Sequence, residues 1–170
     1  SSAYLKMVNE ADVVEVAGNA LFNGPDTYWV DGEIPHAYLS AGTLKVRGDF
    51  TQQRPYYSGY RDVSFRGIGT HRVILNGTSL QTVSFARPSD SYFQDLEITN
   101  ISAGGVVFSS VFTVAGSFTH AAETKLDFSN ISSFGLTLLQ DVAVSGNLTI
   151  DGSLDLAGHV LTVPGDLTIN

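Results

Sequence analysis

The chain contains no cysteine in 170 residues. It therefore has no disulfide framework, no thiolate metal site and no thiol nucleophile. Charge is scarce as well: Asp, Glu, Lys and Arg make up 15% of the residues, against roughly 25% in an average domain. There are three lysines, Lys6, Lys45 and Lys125, too few for a coiled coil or a long helical bundle. Hydrophobic residues reach 43%, which excludes a disordered chain, because disorder needs low hydrophobicity and high charge. The formal net charge is −8, which opposes nucleic-acid binding through a basic field. No apolar run approaches the ~18 residues of a membrane-spanning helix. Ser1-Ser2-Ala3 is not the charged start of a signal peptide.

What remains is rich in residues that suit a pleated surface. Thr, Val, Ile, Phe, Tyr and Trp make up about a third of the chain. Apolar and polar residues alternate with period two, as in Leu44-Lys45-Val46, Leu96-Glu97-Ile98 and Leu154-Asp155-Leu156. No helical stripe is sustained after residue 20. Before it, Leu5, Val8 and Ala11 fit a short capping helix, and Leu5-Lys6-Met7 fits a first strand leading to Val14-Glu15-Val16.

A short turn motif recurs, an apolar strand end followed by Gly and Asp, Asn or Ser. It is carried by Gly18, Gly48-Asp49, Gly116, Gly146-Asn147 and Gly165-Asp166, at spacings of 30, 68, 30 and 19 residues. Gly-Asp and Gly-Asn pairs turn a chain at low steric cost. The last interval holds three short alternating strands, Leu148–Ile150, Leu154–Leu156 and Leu161–Val163. A unit of that size cannot bury its own apolar face and must stack on like units. The expected fold is all-β: a right-handed parallel β-helix (β-solenoid) of about eight or nine short coils, with an antiparallel β-sandwich as the alternative. It is read as one unit over 1–170. Within it, 1–40 holds N-terminal coils or a cap, 41–111 irregular coils with a Tyr/Arg-rich loop at 52–61, and 112–170 regular coils. Leu167-Thr168-Ile169-Asn170 stops in mid-strand, so a fragment of a longer chain is expected, its partners being neighbouring coils or domains.

The units such as Val163-Pro164-Gly165-Asp166-Leu167-Thr168-Ile169 resemble the repeats of bacterial extracellular parallel β-helix proteins, among them haemagglutinin-like adhesins. The resemblance is best over 112–170 and weaker over 40–110. It implies a structural or adhesive segment of a bacterial surface or secreted protein, a stalk, adhesin or matrix element, with an extracellular or cell-surface location.

One window stands apart in charge. All six arginines fall between Arg47 and Arg87, with only Asp49 and Asp62 as acids, so the window carries +4 inside a background of −12. It includes Arg54, Tyr56, Tyr57, Tyr60 and Arg61. Aromatic rings stack on sugar faces and a guanidinium forks a carboxylate, so these residues with Trp29 are the candidate ligand-binding set, for a glycan. The bland reading is a loop covering core. A polysaccharide lyase or hydrolase would draw on Asp26, Asp31 or Glu33, against the reading of these as solvated turn carboxylates. Arg47-Gly48-Asp49 spells the tripeptide of integrin ligands, but Gly48-Asp49 lies on the repeat and reads as a structural corner. His36, His71, His120 and His159 are scattered, so no metal and no cofactor is expected. Gly67-Ile68-Gly69-Thr70 is too short for a dinucleotide fingerprint. Asn76-Gly77-Thr78, Asn100-Ile101-Ser102, Asn130-Ile131-Ser132 and Asn147-Leu148-Thr149 are formal glycosylation sequons. Besides a glycan, the partner considered is another copy, through uncovered ends.

Overall fold

The computed structural model describes residues 5–23, 38–53, 64–88, 91–121, 124–127, 136–138, 142–143, 148–150 and 154–169. Among them the chain is all-β, with seventeen short strands and no helix. Two five-stranded sheets dominate. The first runs β1 (Val13–Val16), β3 (Thr43–Val46), β5 (Arg72–Leu75), β7 (Asp95–Ile98), β10 (Phe118–His120). The second runs β2 (Ala20–Phe22), β4 (Phe50–Gln52), β6 (Gln81–Phe85), β8 (Val106–Phe108), β11 (Leu126–Asp127). From β1 to β8 the chain enters one sheet and then the other in strict alternation.

A third line of pairings runs beside them. It begins as single bridges, Met7 to Leu39, Leu39 to Gly67, Arg66 to Tyr92 and Phe93 to Val114. It continues as β9 (Thr113–Val114), β12 (Leu136–Leu138) and β15 (Leu154–Asp155). Towards the C-terminus β13 (Val142–Ala143) pairs with β16 (Leu161–Thr162), and β14 (Leu148–Ile150) with β17 (Leu167–Ile169). β13 lies against β10 and β14 against β11. Every strand pairing among the described residues is parallel, so the antiparallel sandwich considered from sequence does not describe these sheets.

Register explains the core. Val14, Leu44, Val73, Leu96 and Phe118 stand in one line across the first sheet, and Val16, Val46, Leu75, Ile98 and His120 in the next. Each strand alternates, so these residues turn inward while Glu15, Lys45, Ile74 and Glu97 turn outward. From the second sheet come Phe50, Val83, Phe85, Val106 and Phe108, all buried. Phe65 and Phe93, from the third line, close the interior: Phe50 lies 4.9 Å from each by ring centroid, and Phe85 lies 5.1 Å from Phe93. Each such apolar side chain removed from water contributes roughly 1.5–3 kcal/mol.

Along the first sheet, paired residues are offset by 30, 29, 23 and 22 positions, and in the C-terminal ladders by 19. The 19-residue interval read from Gly146 and Gly165 is therefore the true offset there, although Gly146 and Asn147 lie outside the described residues. The early rows are longer than the motif count assumed. β13 and β16 follow the five strands of the first sheet, so seven strands stand along that line among the described residues.

The turn glycines need one correction. Gly18 and Gly48 follow register partners Val16 and Val46, so they occupy equivalent corners, and Gly48 N donates to Gly18 O at 2.9 Å. The third member of that line is Gly77, two residues past Leu75, which pairs with Val46; Leu75 stands where the motif expects Val. Gly116 occupies a different corner. It precedes β10 rather than following a first-sheet strand, and its N–H donates to Gln94 O at 2.6 Å. The motif marks an apolar strand end before a tight turn, and more than one corner has that form. At the N-terminus Met7 is buried and bridged to Leu39, so the extended reading holds over the helical one.

The Asn and Asp side chains at the corners bond beyond their own turn. They reach the next row. Asn19 Oδ1 accepts from Asp49 N at 2.8 Å, and Asp49 Oδ1 accepts from Thr82 N at 2.8 Å. Asp95 Oδ1 accepts from Ser117 N at 2.7 Å. Each side chain satisfies an amide at the same position one row on.

Gly48 is squeezed by this arrangement. A Cβ there would lie on Asn19 Oδ1 and 2.7 Å from Gly18 O, whereas a Cβ on Gly18 would meet nothing within 4 Å. The expected outcome is that Gly48→Ala destabilises by about 2 kcal/mol, in the range of overpacking costs, while Gly18→Ala stays within about 0.5 kcal/mol. Urea melts of the two variants check the contrast.

Candidate functional site

The four described arginines of the window stand at separate places in the fold. Arg47 is exposed just past β3, and Arg72 opens β5 with Nη1 3.5 Å from Glu97 Oε2. Arg66 sits on the third line, its guanidinium 5.3 Å from the centroid of the Tyr92 ring. Arg87 follows β6, and its N–H donates to Gln52 Oε1 at 2.9 Å. Trp29, Arg54, Tyr56, Tyr57, Tyr60 and Arg61 lie outside the described residues, as do Asp26, Asp31, Glu33 and His36.

The described residues around those stretches share one corner. The stretch 24–37 lies between β2 and Leu39, and 54–63 between β4 and the Phe65-Arg66-Gly67 segment. Phe22 pairs with Gln52, and Gln53 N donates to Phe22 O at 2.9 Å. On the far side Leu39 is bridged to Gly67. The two stretches therefore leave adjacent strands and re-enter on adjacent strands. One row further, the connection after β6 carries Arg87 and leads to Tyr92. Register thus brings the described residues that flank three successive connections to the corner between the second sheet and the third line.

That corner is braced by a buried amide that sequence reading missed. Gln52 is 1% exposed. Its Nε2 donates to Ser64 Oγ at 2.7 Å and to Gln53 O at 2.9 Å. A second buried network ties the corner between the first and second sheets. Gln81 Nε2 donates to Gly48 O at 2.7 Å and Val46 O at 3.0 Å, while its Oε1 accepts from Gly77 N and from Asn100 Nδ2. Asn100, fully buried, also donates to Ser79 O at 2.7 Å. Its place in the core removes Asn100-Ile101-Ser102 from the usable sequons. The available signal was the inward phase of Gln52 and Gln81 in otherwise apolar strands.

Asp49 carries structural bonds through both its N–H and its carboxylate. This agrees with the corner reading of Arg47-Gly48-Asp49. Asp166 precedes β17 as Asp49 precedes β4, and Gly165 precedes it in the same way.

The histidines are apart. His71 is fully buried beside Phe65, with both ring nitrogens lacking a hydrogen-bond partner. Burial pushes its pKa down to about 4, against a weaker opposing pull from Asp95. His120 is also lowered by burial, offset by the contact of its Nδ1 with Ala121 O. Among the described residues no three His, Asp or Glu side chains gather as metal ligands, and no helix is long and apolar enough to cross a membrane.

A consequence concerns acid stability. The unfolded chain protonates His71 near pH 6.5, whereas the native fold resists protonation until about pH 4. Stability is therefore full above about pH 6.5 and falls as the pH drops towards 4, by about 3 kcal/mol from this residue. Denaturant melts between pH 7 and 4 should show that fall, and His71→Leu should flatten it.

No family model matches the chain, and no curated protein or solved structure is similar to it.

Proposed function

We propose that the chain is a right-handed parallel β-helix of seven short coils, and that it serves as a structural and adhesive segment of a bacterial cell-surface or secreted protein. The single observation that carries the fold reading is the in-step register: each row adds one strand to each sheet, all parallel. A coil that returns to the same place in each sheet accounts for that pattern, and the usual handedness of parallel crossovers gives its sense. Such a rod is stiff because successive rows are bonded by main-chain ladders, with corner side chains adding bonds between several of them.

In the adhesive part of the reading, the rod presents its long connections at one corner, where they contact a glycan. What supports this is that the described residues on either side of the stretches containing Trp29 and Tyr56–Arg61 pair with one another on adjacent strands. Stacking of Tyr rings on sugar faces and Arg forks on sugar carboxylates supply the recognition chemistry. The same reading has a second copy stack on the last described row, where Leu167 is 48% and Ile169 66% exposed.

Two outcomes follow. On a glycan array the protein should bind a subset of polysaccharides, and the pair Tyr56→Ala/Tyr57→Ala should weaken that binding by about tenfold or more, a loss typical of aromatic anchors; unchanged binding removes these residues from the account. In light scattering, Leu167→Ser/Ile169→Ser should lower concentration-dependent association without changing the melting profile; equal association in both proteins contradicts stacking through that row.

A further inference from the structure

The turn that leaves β5 begins with Asn76-Gly77. Asn is a thermolabile residue, and a following Gly, having no Cβ, gives its own nitrogen open access to the Asn side-chain carbon. In that reaction the Gly nitrogen loses its proton to base and forms a bond to Asn Cγ. The bond from Cγ to the side-chain nitrogen then breaks, and that nitrogen leaves as ammonia after taking up a proton. Water opens the resulting five-membered ring at either carbonyl, which leaves Asp or isoaspartate.

Three features of this corner oppose the first step. Gly77 is buried, and its N–H donates to Gln81 Oε1 at 2.8 Å. Base has no access to that proton, and the anion left by its removal would face the lone pairs of Oε1. The backbone is also enclosed. A Cβ added to Gly77 would lie 2.6 Å from Arg47 O and 2.6 Å from Gln81 Cδ, and Asn76 N is tied to Val46 O at 3.0 Å. Finally, Asn76 Oδ1 is shut off from solvent without a hydrogen-bond partner. Negative charge builds on that oxygen when nitrogen adds to Cγ, and no donor is there to stabilise it. Gln81 is itself fixed, fully buried with Nε2 on Val46 O and Gly48 O.

We propose that Asn76-Gly77 is a latent self-modification site, held shut by the buried Gln81 amide and released only when the corner between β5 and β6 comes apart. It is independent of the glycan-presenting corner above. Modification there is a one-way step. Isoaspartate adds a carbon to the main chain between Asn76 N, bonded to Val46 O, and Gly77 N, bonded to Gln81. Either product also sets a carboxylate where Asn76 Oδ1 is sealed from water. A chain converted while open therefore does not regain this corner.

The test is peptide mapping of deamidation at residue 76 during incubation at mildly alkaline pH, with the intact chain native in one arm and unfolded in guanidinium in the other. The native rate should be lower by about a hundredfold or more, because only the opened corner reacts. Native hydrogen exchange at Gly77 N should be slowed to a similar degree. After refolding of the guanidinium arm, isoaspartate at residue 76 should be missing from the folded fraction. Gln81→Met should raise the native rate about tenfold above that of Val83→Ala, with the two compared at denaturant concentrations that give them equal stability. If Gln81→Met does not fold, the rates and the exchange of the unmodified protein decide. The proposal is overturned by similar rates in the native and unfolded arms, by Gly77 N exchanging as fast as in the unfolded chain, by isoaspartate in the folded fraction, or by equal rates in the two folded variants.

Discussion

Parallel register is the constraint on which the rest of this structure depends. Val16, Val46, Leu75 and Ile98 stand one above another because successive strands pair in step. That step decides which residues face the core, since a slip by one would turn every inward side chain outward. It also decides where the corners fall. Asn19 can accept from Asp49 N, and Asp49 from Thr82 N, only when the rows are aligned. The corner bonds and the apolar columns thus enforce the same register from two directions, one polar and local, the other apolar and spread along the sheet.

The same constraint explains how a chain with so few charges and no cysteine holds together. The apolar columns supply a continuous core, and the polar groups that must be buried are paired in specific networks. Gln81 and Asn100 use their amides to bond Gly48, Val46 and Ser79 across rows and Gly77 within the turn before β6. Removing either would leave several buried backbone groups without partners, which is why these polar residues sit among Val and Phe. Some buried polar atoms stand outside these networks, among them Ser91 Oγ, Thr124 Oγ1 and both ring nitrogens of His71. The unpartnered His71 ring is tolerated because it is neutral, and its burial couples the fold to acid.

Much of this was legible from sequence and part was not. Period-two alternation at Leu44-Lys45-Val46 and Leu96-Glu97-Ile98 marked strands and their inward faces. The 19-residue interval near the C-terminus matched the register of β14 on β17. The glycine motif was less reliable, because Gly116 and Gly48 share a local form while occupying different corners, and Gly77 escaped notice behind Leu75. Local sequence encodes the turn; only the pairing partner identifies the corner. The bonds of Gln52, Gln81 and Asn100 could not be read for the same reason, since they include partners 12, 35 and 21 residues away; only the inward phase of the two glutamines hinted at them. The charge imbalance was real as a count, yet the described arginines spread over different faces.

The measurement that bears most directly on the central claim is the pattern of cross-strand proton contacts around β3 in solution. Parallel pairing on both sides predicts amide-to-α-proton contacts from Leu44 and Val46 to β1 and, separately, to β5, in the register Val16–Val46–Leu75. Close α-to-α contacts, which belong to antiparallel neighbours, or contacts from β3 to only one of the two strands, would contradict the in-step stacking from which the whole account is built.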